Sequence, residues 1–415
     1  MRHSRNGQSR RTLKTSASRN SSERLAAAGK PKVIDLFAGV GGFSLGAARA
    51  GFEVAVAIDL DRHAVAAHKK NFPHTQHPRR NIVNLSGADV LRLAKLKKEK
   101  LVGIIGGPPC QGFSTMGRRR KNDSRNSLFF HFFRLVSETR PLFFVAENVP
   151  GILAPKYEAI RRSALKLVDH YYNVAGPFTL CPSNFGAATV RPRVFFVGIA
   201  KRSRAKLSPE DFTPCATRRK TLVKTALAGL MPNIKATWQN EESSWRQIKQ
   251  SNSKFFFAIN RFCESTGDPS AVQRFVDKLE ASGFLGTQHT VDVVERFAAV
   301  DPGKTDKVSK FPRLSWDGLC PTLRAGTDHR RGSYQAVRPI HPKKNRVITP
   351  REAARLQGFP DWFQFSPTKW HSFRQIGNSV SPLLAEKLLD TIRKKLSDIG
   401  DQEETSASAK VGKYL

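Results

Sequence analysis

Short apolar runs recur through the first two hundred residues, and the residues that close them change character abruptly. Val33–Phe37 is a buried-type run that leads into Ala38-Gly39-Val40-Gly41-Gly42-Phe43 and then a helical stretch, Ser44–Arg49. Glu53–Ile58 is a second run, closed by Asp59-Leu60-Asp61 ahead of a helix around His63–Asn71. Leu101–Ile105 runs into Gly106-Gly107-Pro108-Pro109-Cys110, Leu142–Ala146 into Glu147-Asn148-Val149-Pro150, and Val194–Gly198 is a later run. Apolar strands alternating with helical segments predict an α/β domain on a largely parallel sheet. In such sheets ligands bind outside the carboxyl ends of the strands. The glycine-rich and polar motifs sit at those ends.

The rhythm fails from about Lys201 to Pro312, a basic, short-period stretch that reads as an inserted second domain. It resumes at Thr349–Gln357, and Val380–Lys395 is patterned as an amphipathic helix. The expected divisions are a basic arm at 1–30, a first catalytic part at 31–200, the insert at 201–312, a returning catalytic part at 313–397, and a frayed tail at 398–415. The arm holds eight Lys or Arg, many Ser and one acid, Glu23. That composition suits a disordered segment, with an organellar transit peptide as the alternative.

Composition narrows the partner. With 70 Lys and Arg against 34 Asp and Glu, the chain carries a formal +36 over 415 residues. So large a surplus points to a polyanion, nucleic acid before an anionic membrane surface, although charge alone also serves solubility. No window approaches 18 uninterrupted apolar residues, so no membrane span is expected. The five cysteines are scattered and form no CxxC or Cys/His cluster, which argues against a disulfide framework and a zinc site. No metal is expected.

The first glycine turn lets backbone approach a ligand, since glycine has no Cβ and tolerates positive φ. Asp59, closing the next strand, is placed to accept from ribose hydroxyls. This pairing fits NAD, a nucleotide or S-adenosylmethionine, and equally a plain tight turn. Pro108-Pro109-Cys110-Gln111 is sharper: two prolines present a cysteine rigidly at a strand end. Arg118-Arg119-Arg120-Lys121 follow in a glycine-containing loop suited to phosphate contact. Glu147 ends a neighbouring strand, with no obvious histidine base. A Cys–Glu pair of this kind is unlike a thiol protease and suits addition to an electron-poor ring, the acid donating to a ring nitrogen as sulfur adds.

These residues resemble the DNA cytosine-C5 methyltransferases. Asp35–Phe43 looks like the family's cofactor motif, Gly107–Ser114 its nucleophile motif and Glu147-Asn148-Val149 its ENV motif. Arg191-Pro192-Arg193 is similar to the end of QxRxR, Arg351–Pro360 to the segment after the recognition region, and Gln375–Val380 to the last motif. The resemblance implies a Rossmann-like S-adenosylmethionine-dependent methyltransferase sheet with a smaller inserted target-recognition domain. Phe37, Gly39, Gly41, Asp59, Leu60, Ile82, Pro109, Leu128 and Asn378 would then line the cofactor site. Cys110 would add to C6 of cytosine, Glu147 would bond N3, and Arg193 would hold O2 with Arg191 nearby. The pattern departs at Thr189, where the family has glutamine, at Ala188, where it has proline, and at Asn81, where it has aspartate.

The implied mechanism agrees with the residues. Thiolate addition at C6 makes C5 an enamine carbon able to take a methyl group, which splits one hard step into easier ones. The base must leave the duplex stack to be reached, and the loop 111–126 would close over it. A base, for which water would serve, then removes the C5 proton. The resemblance further implies double-stranded DNA as partner, a monomer in the bacterial cytoplasm at the nucleoid, and a cognate restriction endonuclease where the chain serves a restriction-modification system. Two rivals remain open: a tRNA cytosine-C5 methyltransferase, whose Cys-Phe-Thr signature is not found, and a catalytically silent DNA-binding relative. Trp238, Asn240, Trp245, Arg246 and Gln247 could reach base edges, with core or solvated roles equally open.

Overall fold

The computed structural model describes residues 29–109, 127–213, 219–326 and 338–411. Residues 1–28 of the N-terminal arm, Cys110 and the loop to Asn126 lie outside the described residues. Six strands form one sheet in the order β2-β1-β3-β4-β6-β5: β1 Lys32–Leu36, β2 Glu53–Ile58, β3 Leu101–Gly106, β4 Phe143–Asn148, β5 Tyr172–Leu180 and β6 Arg193–Ala200. Strands β2, β1, β3 and β4 are parallel, while β6 runs antiparallel to both β4 and β5.

Both faces of the sheet are covered, so its strands read as continuous apolar runs rather than alternating ones. Successive side chains still separate by face. Val33, Ile105, Phe143 and Val145 share a core with Phe43 and Ala47 of α1 (Gly42–Arg49) and with Leu384 and Leu388 from the chain's last helix. Ile34, Ile104, Phe144 and Ala146 pack on the other face against Phe129, Phe132 and Phe133 of α4 (Ser127–Thr139). The intervening helices are α2 (Arg62–Asn71), with Asp61 as its N-cap, and α3 (Gly87–Leu93), with a Ser86/Asp89 capping box. After β4 comes α5 (Glu158–Lys166).

Strand β5 has no counterpart in the sequence reading. It lies at the sheet edge, is half exposed, and carries Gly176 and Pro177 where its register with β6 shifts. Edge strands tolerate proline because one side of the backbone lacks a partner.

Between 201 and 312 the helices are short: α6 Val223–Leu227, α7 Glu241–Ser244, α8 Lys254–Asn260, α9 Pro269–Lys278 and α10 Val291–Ala298. Two-residue strands β7 (Arg246–Gln247) and β8 (Glu280–Ala281) pair antiparallel. Apolar side chains of α6, α8, α9 and β8 join a separate core with Phe359, Trp362, Phe363 and Phe373, while Phe297 of α10 packs with Ile340 and Val347. The α/β rhythm expected after Thr349 does not return. Among the described residues only helices follow: α11 Pro350–Gln357, α12 Lys369–Asn378 and α13 Pro382–Val411. The last of these runs to Val411, past the boundary at 398 where a frayed tail was expected.

Candidate active site

Strand β1 ends in a turn whose backbone is unusual at three points. Phe37, Gly39 and Gly41 have φ of 61°, 56° and 101°. Only Gly41 is fully enclosed: a Cβ there would strike the Phe72 ring and meet His68 at 3.0 Å. Around Gly39 the corresponding space is open. Gly39 donates its N–H to Asp59 Oδ2 at 2.8 Å, and Asp61 donates to Oδ1 at 2.8 Å. Asp59 thus ties the glycine turn to the end of β2, and each carboxylate oxygen keeps a lone pair for a further donor. Burial pushes its carboxyl up, opposed by the donated backbone bonds. Beside it Leu60 is 58% exposed, an apolar surface at a strand end.

The other predicted cofactor residues lie on neighbouring elements. Asn81 accepts from Val83 N–H at 3.1 Å and caps the turn that begins with buried Ile82. Arg134, which the sequence reading missed, reaches from α4 to the carbonyls of Ile82 and Leu85 at 3.3 and 2.7 Å. Leu128 and Pro109 are half-buried, and Asn378, the last residue of α12, is exposed. A Cβ on Gly42 would collide with Ser379 and the Val380 carbonyl, so the final motif lies directly against the glycine turn. An acid, an exposed apolar side chain and an open glycine turn form a fit for an adenosine moiety: carboxylate to ribose, apolar surface to base.

Behind the turn lies a polar chain that the sequence reading also missed. Ser44 Oγ donates to Asp35 Oδ2 at 2.6 Å, His68 Nε2 lies 3.0 Å from Ser44 Oγ, and His77 Nε2 lies 2.9 Å from His68 Nδ1. Asp35 Oδ1 is buried without a hydrogen-bond partner. Burial pushes the Asp35 carboxyl up to about 7, with Asp59 adding and Ser44 opposing. Burial holds His68 well below its ordinary range and brings His77 down to about 4. The one available signal was an acid inside an otherwise apolar run.

Because the folded carboxyl titrates higher than the unfolded one, its protonated form stabilises the fold below pH 4 and that contribution is lost as pH rises through about 7. Asp35→Asn is therefore expected to be more stable than the parent at pH 8, by up to about 4 kcal/mol. The difference should vanish near pH 4. Denaturant melts across that range check it, and an advantage independent of pH would contradict it.

Two strands away, β4 ends in Glu147 and Asn148. Because β6 runs antiparallel, its first residues lie beside the end of β4: Glu147 pairs with Phe195 and Asn148 with Val194. Arg193 Nε consequently sits 3.0 Å from Glu147 Oε1, both side chains about nine-tenths buried at 12% and 11% exposure. Burial raises the Glu147 carboxyl, and Arg193 and then Arg191 oppose it. Arg191 itself points elsewhere. Its guanidinium donates to the carbonyl of Leu323 at 2.8 Å and to that of Gly377, so it fastens the β6 lead-in to α12. Thr189 takes a similar part: buried, it donates to the Cys320 carbonyl at 3.1 Å.

The later motif is structural in detail. Arg351 donates to the carbonyls of Ser282, Pro360 and Phe363 at 2.7, 2.7 and 2.8 Å. Arg355 pairs with Asp361 at 2.7 and 2.8 Å and reaches the Ala228 carbonyl at 2.6 Å. Buried arginines need such partners, and these bind α11 to the 223–285 segment. Of the five residues named as base-edge candidates, Arg246 stacks on Trp238 at 3.7 Å, Trp245 receives Arg274 at 4.8 Å, Asn240 caps α7, and Gln247 lies in β7. Among the described residues no three His, Cys, Asp or Glu side chains gather as a metal site, and no helix is long and apolar enough to cross a membrane.

A doubly covered, mostly parallel sheet with a glycine turn at one strand end and an acid at another is the architecture of S-adenosylmethionine-dependent methyltransferases. Residues 31–394 match the model of the C-5 cytosine-specific DNA methylases, and the chain belongs to that family. It is 38% identical over 372 residues to the type II methyltransferase M.XorII of Xanthomonas oryzae, covering 88% of this chain and 86% of the relative. It is 30% identical to M.DdeI of Desulfomicrobium norvegicum, covering 91% and 92%. A solved structure described as a prophage-encoded DNA modification methyltransferase (E. coli) aligns with TM-score 0.79 at 46% identity, over 88% of this chain and 99% of that one. The S. pombe Dnmt2 methyltransferase, at 15% identity, TM-score 0.58 and 89% and 100% coverage, shares the fold. The protein is a DNA cytosine-C5 methyltransferase, and S-adenosylmethionine is the family's methyl donor.

Proposed function

We propose that the chain methylates cytosine within one short duplex sequence through a covalent adduct of Cys110, as the modification enzyme of a type II system. The buried Glu147–Arg193 pair carries this reading: an acid whose carboxyl is pushed up by burial, set 3.0 Å from a cation, can bond N3 and O2 of one cytosine ring. Cys110, which lies outside the described residues, forms the C–S bond to C6. Glu147 donates its proton toward N3 as that bond forms, Arg193 holds O2, and Arg191 positions Arg193 through its grip on Leu323 and Gly377. S-adenosylmethionine supplies an electrophilic methyl group to C5. Loss of the C5 proton to water then restores the C5–C6 double bond and expels the thiolate, and N3 returns its proton to Glu147.

Phe37, Gly39, Gly41, Asp59, Leu60, Ile82, Pro109, Leu128 and Asn378 hold the donor, with Asp59 toward the ribose and Leu60 against the adenine. Residues 201–312 serve target recognition. The type II names of M.XorII and M.DdeI support a modification role beside a cognate endonuclease, with the chain acting as a monomer in a bacterial cytoplasm. The test is transfer of a labelled methyl group from S-adenosylmethionine to duplex DNA and, separately, to tRNA. Label at C5 of cytosine in DNA alone is expected. Label confined to tRNA, or none with the donor bound, would overturn the reading.

A further inference from the structure

A pocket of about 620 Å³ opens beside the start of β6. One wall is Val190 and Pro192, flanking Arg191 and preceding the Arg193 that pairs with Glu147. The opposite walls come from the 305–324 segment, including Lys310, Pro321, Thr322 and Arg324. The two sides are sewn together: Val190 N–H donates to the Cys320 carbonyl, and Thr322 Oγ1 to the Val190 carbonyl, each at 2.8 Å. The strip continues to Leu323, whose carbonyl takes Arg191, and to Ala325, whose N–H would lie 2.7 Å from a Cβ on Gly377. The backbone at Arg324 is thereby held against Gly377, one residue past the carbonyl that takes Arg191.

Lys310 is fixed from the other side. Buried Asp306 accepts from Ser309 N–H and Oγ at 2.6 and 2.5 Å and from Arg296 at 3.1 Å. Lys310 donates its N–H to the Asp306 carbonyl at 3.0 Å and is held at φ 59°. Neither Lys310 nor Arg324 has an acidic partner among the described residues, and both are exposed. Prolines stiffen the walls because their φ is locked, and Val190 leaves 42% of its surface open. Two cations without an acidic partner among the described residues, set over a rigid apolar floor, match the charge of a phosphate and the apolar face of its sugar; Lys and Arg also read guanine edges, and dependence of binding on sequence separates the two.

We propose that this pocket receives the sugar and phosphate of the nucleotide next to the flipped cytosine, with Lys310 and Arg324 pairing the flanking phosphates. The proposal rests on the DNA-methylating reading above. It assigns the strand contact nearest the reacting base to the 305–324 segment rather than to residues 238–247.

The experiment measures binding of a mixed-sequence duplex between about 50 and 200 mM salt. The proteins are the full chain, Lys310→Ala, Arg324→Ala, the double variant, and Lys166→Ala, an exposed lysine on α5. Removing one phosphate-pairing cation lowers the slope of log affinity against log salt by about 0.9, so in the double variant the slope should fall by about 1.8. Lys166→Ala should match the parent. The weakening should be equal for duplexes of different sequence, and KM for DNA in methyl transfer should rise about tenfold or more. An unchanged slope in folded variants, with the parent still methylating DNA, would overturn the pocket assignment alone. Weakening confined to one sequence would show that the pocket reads a base and would also overturn it. A parent that methylates no DNA would instead sink the reading beneath.

Discussion

Cys110→Ala is expected to lose methyl transfer by on the order of 10⁴-fold or more while binding duplex DNA with nearly parental affinity. C5 of cytosine is too weak a nucleophile to attack a sulfonium until C6 carries an electron-donating adduct, and alanine offers no atom to form one. Binding rests on other groups. The chain's +36 charge is spread over 70 basic residues, and affinity for a duplex comes mainly from phosphate neutralisation. Methyl transfer and salt-dependent binding measured on the same preparation check both halves. A variant that methylates at the parental rate would end the nucleophile assignment. One that neither binds nor melts cooperatively would call for Cys110→Ser, which keeps size and polarity but should remain at least about 10²-fold slower on the same grounds.

Glu147→Gln should cost about 10²- to 10⁴-fold in kcat, with the KM for S-adenosylmethionine little changed. The amide can donate a hydrogen bond to N3, but it cannot deliver a proton as sulfur adds to C6. The pH profile separates this from mere loss of fit. Burial outweighs the two arginines and raises the Glu147 carboxyl, so the protonated acid persists to higher pH than an exposed glutamate would allow. The parental rate should fall as pH rises through that raised value, and the descending limb should be absent from Glu147→Gln. An equal drop at every pH, with the limb retained, would assign the proton to another group.

What the sequence shows of this molecule follows from how local each signal is. Strands β1 to β4 and β6 are buried on both faces, so each is a continuous apolar run that stands out unaided. Strand β5 is an exposed edge containing Gly176 and Pro177, and neither burial nor period marks it. The direction of β6 is a matter of topology, yet it is what sets Arg193 against Glu147. Arg351 and Arg355 pattern as the polar side of a helix but are entirely buried, because their partners are carbonyls and an acid brought in by tertiary contacts. The same limit applies to Arg191, whose spacing in the motif suggests the base but whose guanidinium binds two backbone carbonyls. Asp35, Ser44, His68 and His77 are scattered over more than forty positions, and only the fold assembles them.

The central claim, that this chain modifies C5 of cytosine in a defined DNA sequence through Cys110, is tested most directly by mapping 5-methylcytosine at base resolution. The DNA comes from cells expressing the chain, with cells expressing Cys110→Ala beside them. Methylation at one short motif, complete in the first and absent in the second, is the predicted result. An unmethylated genome in cells holding the folded parent, or equal methylation in both, would contradict it.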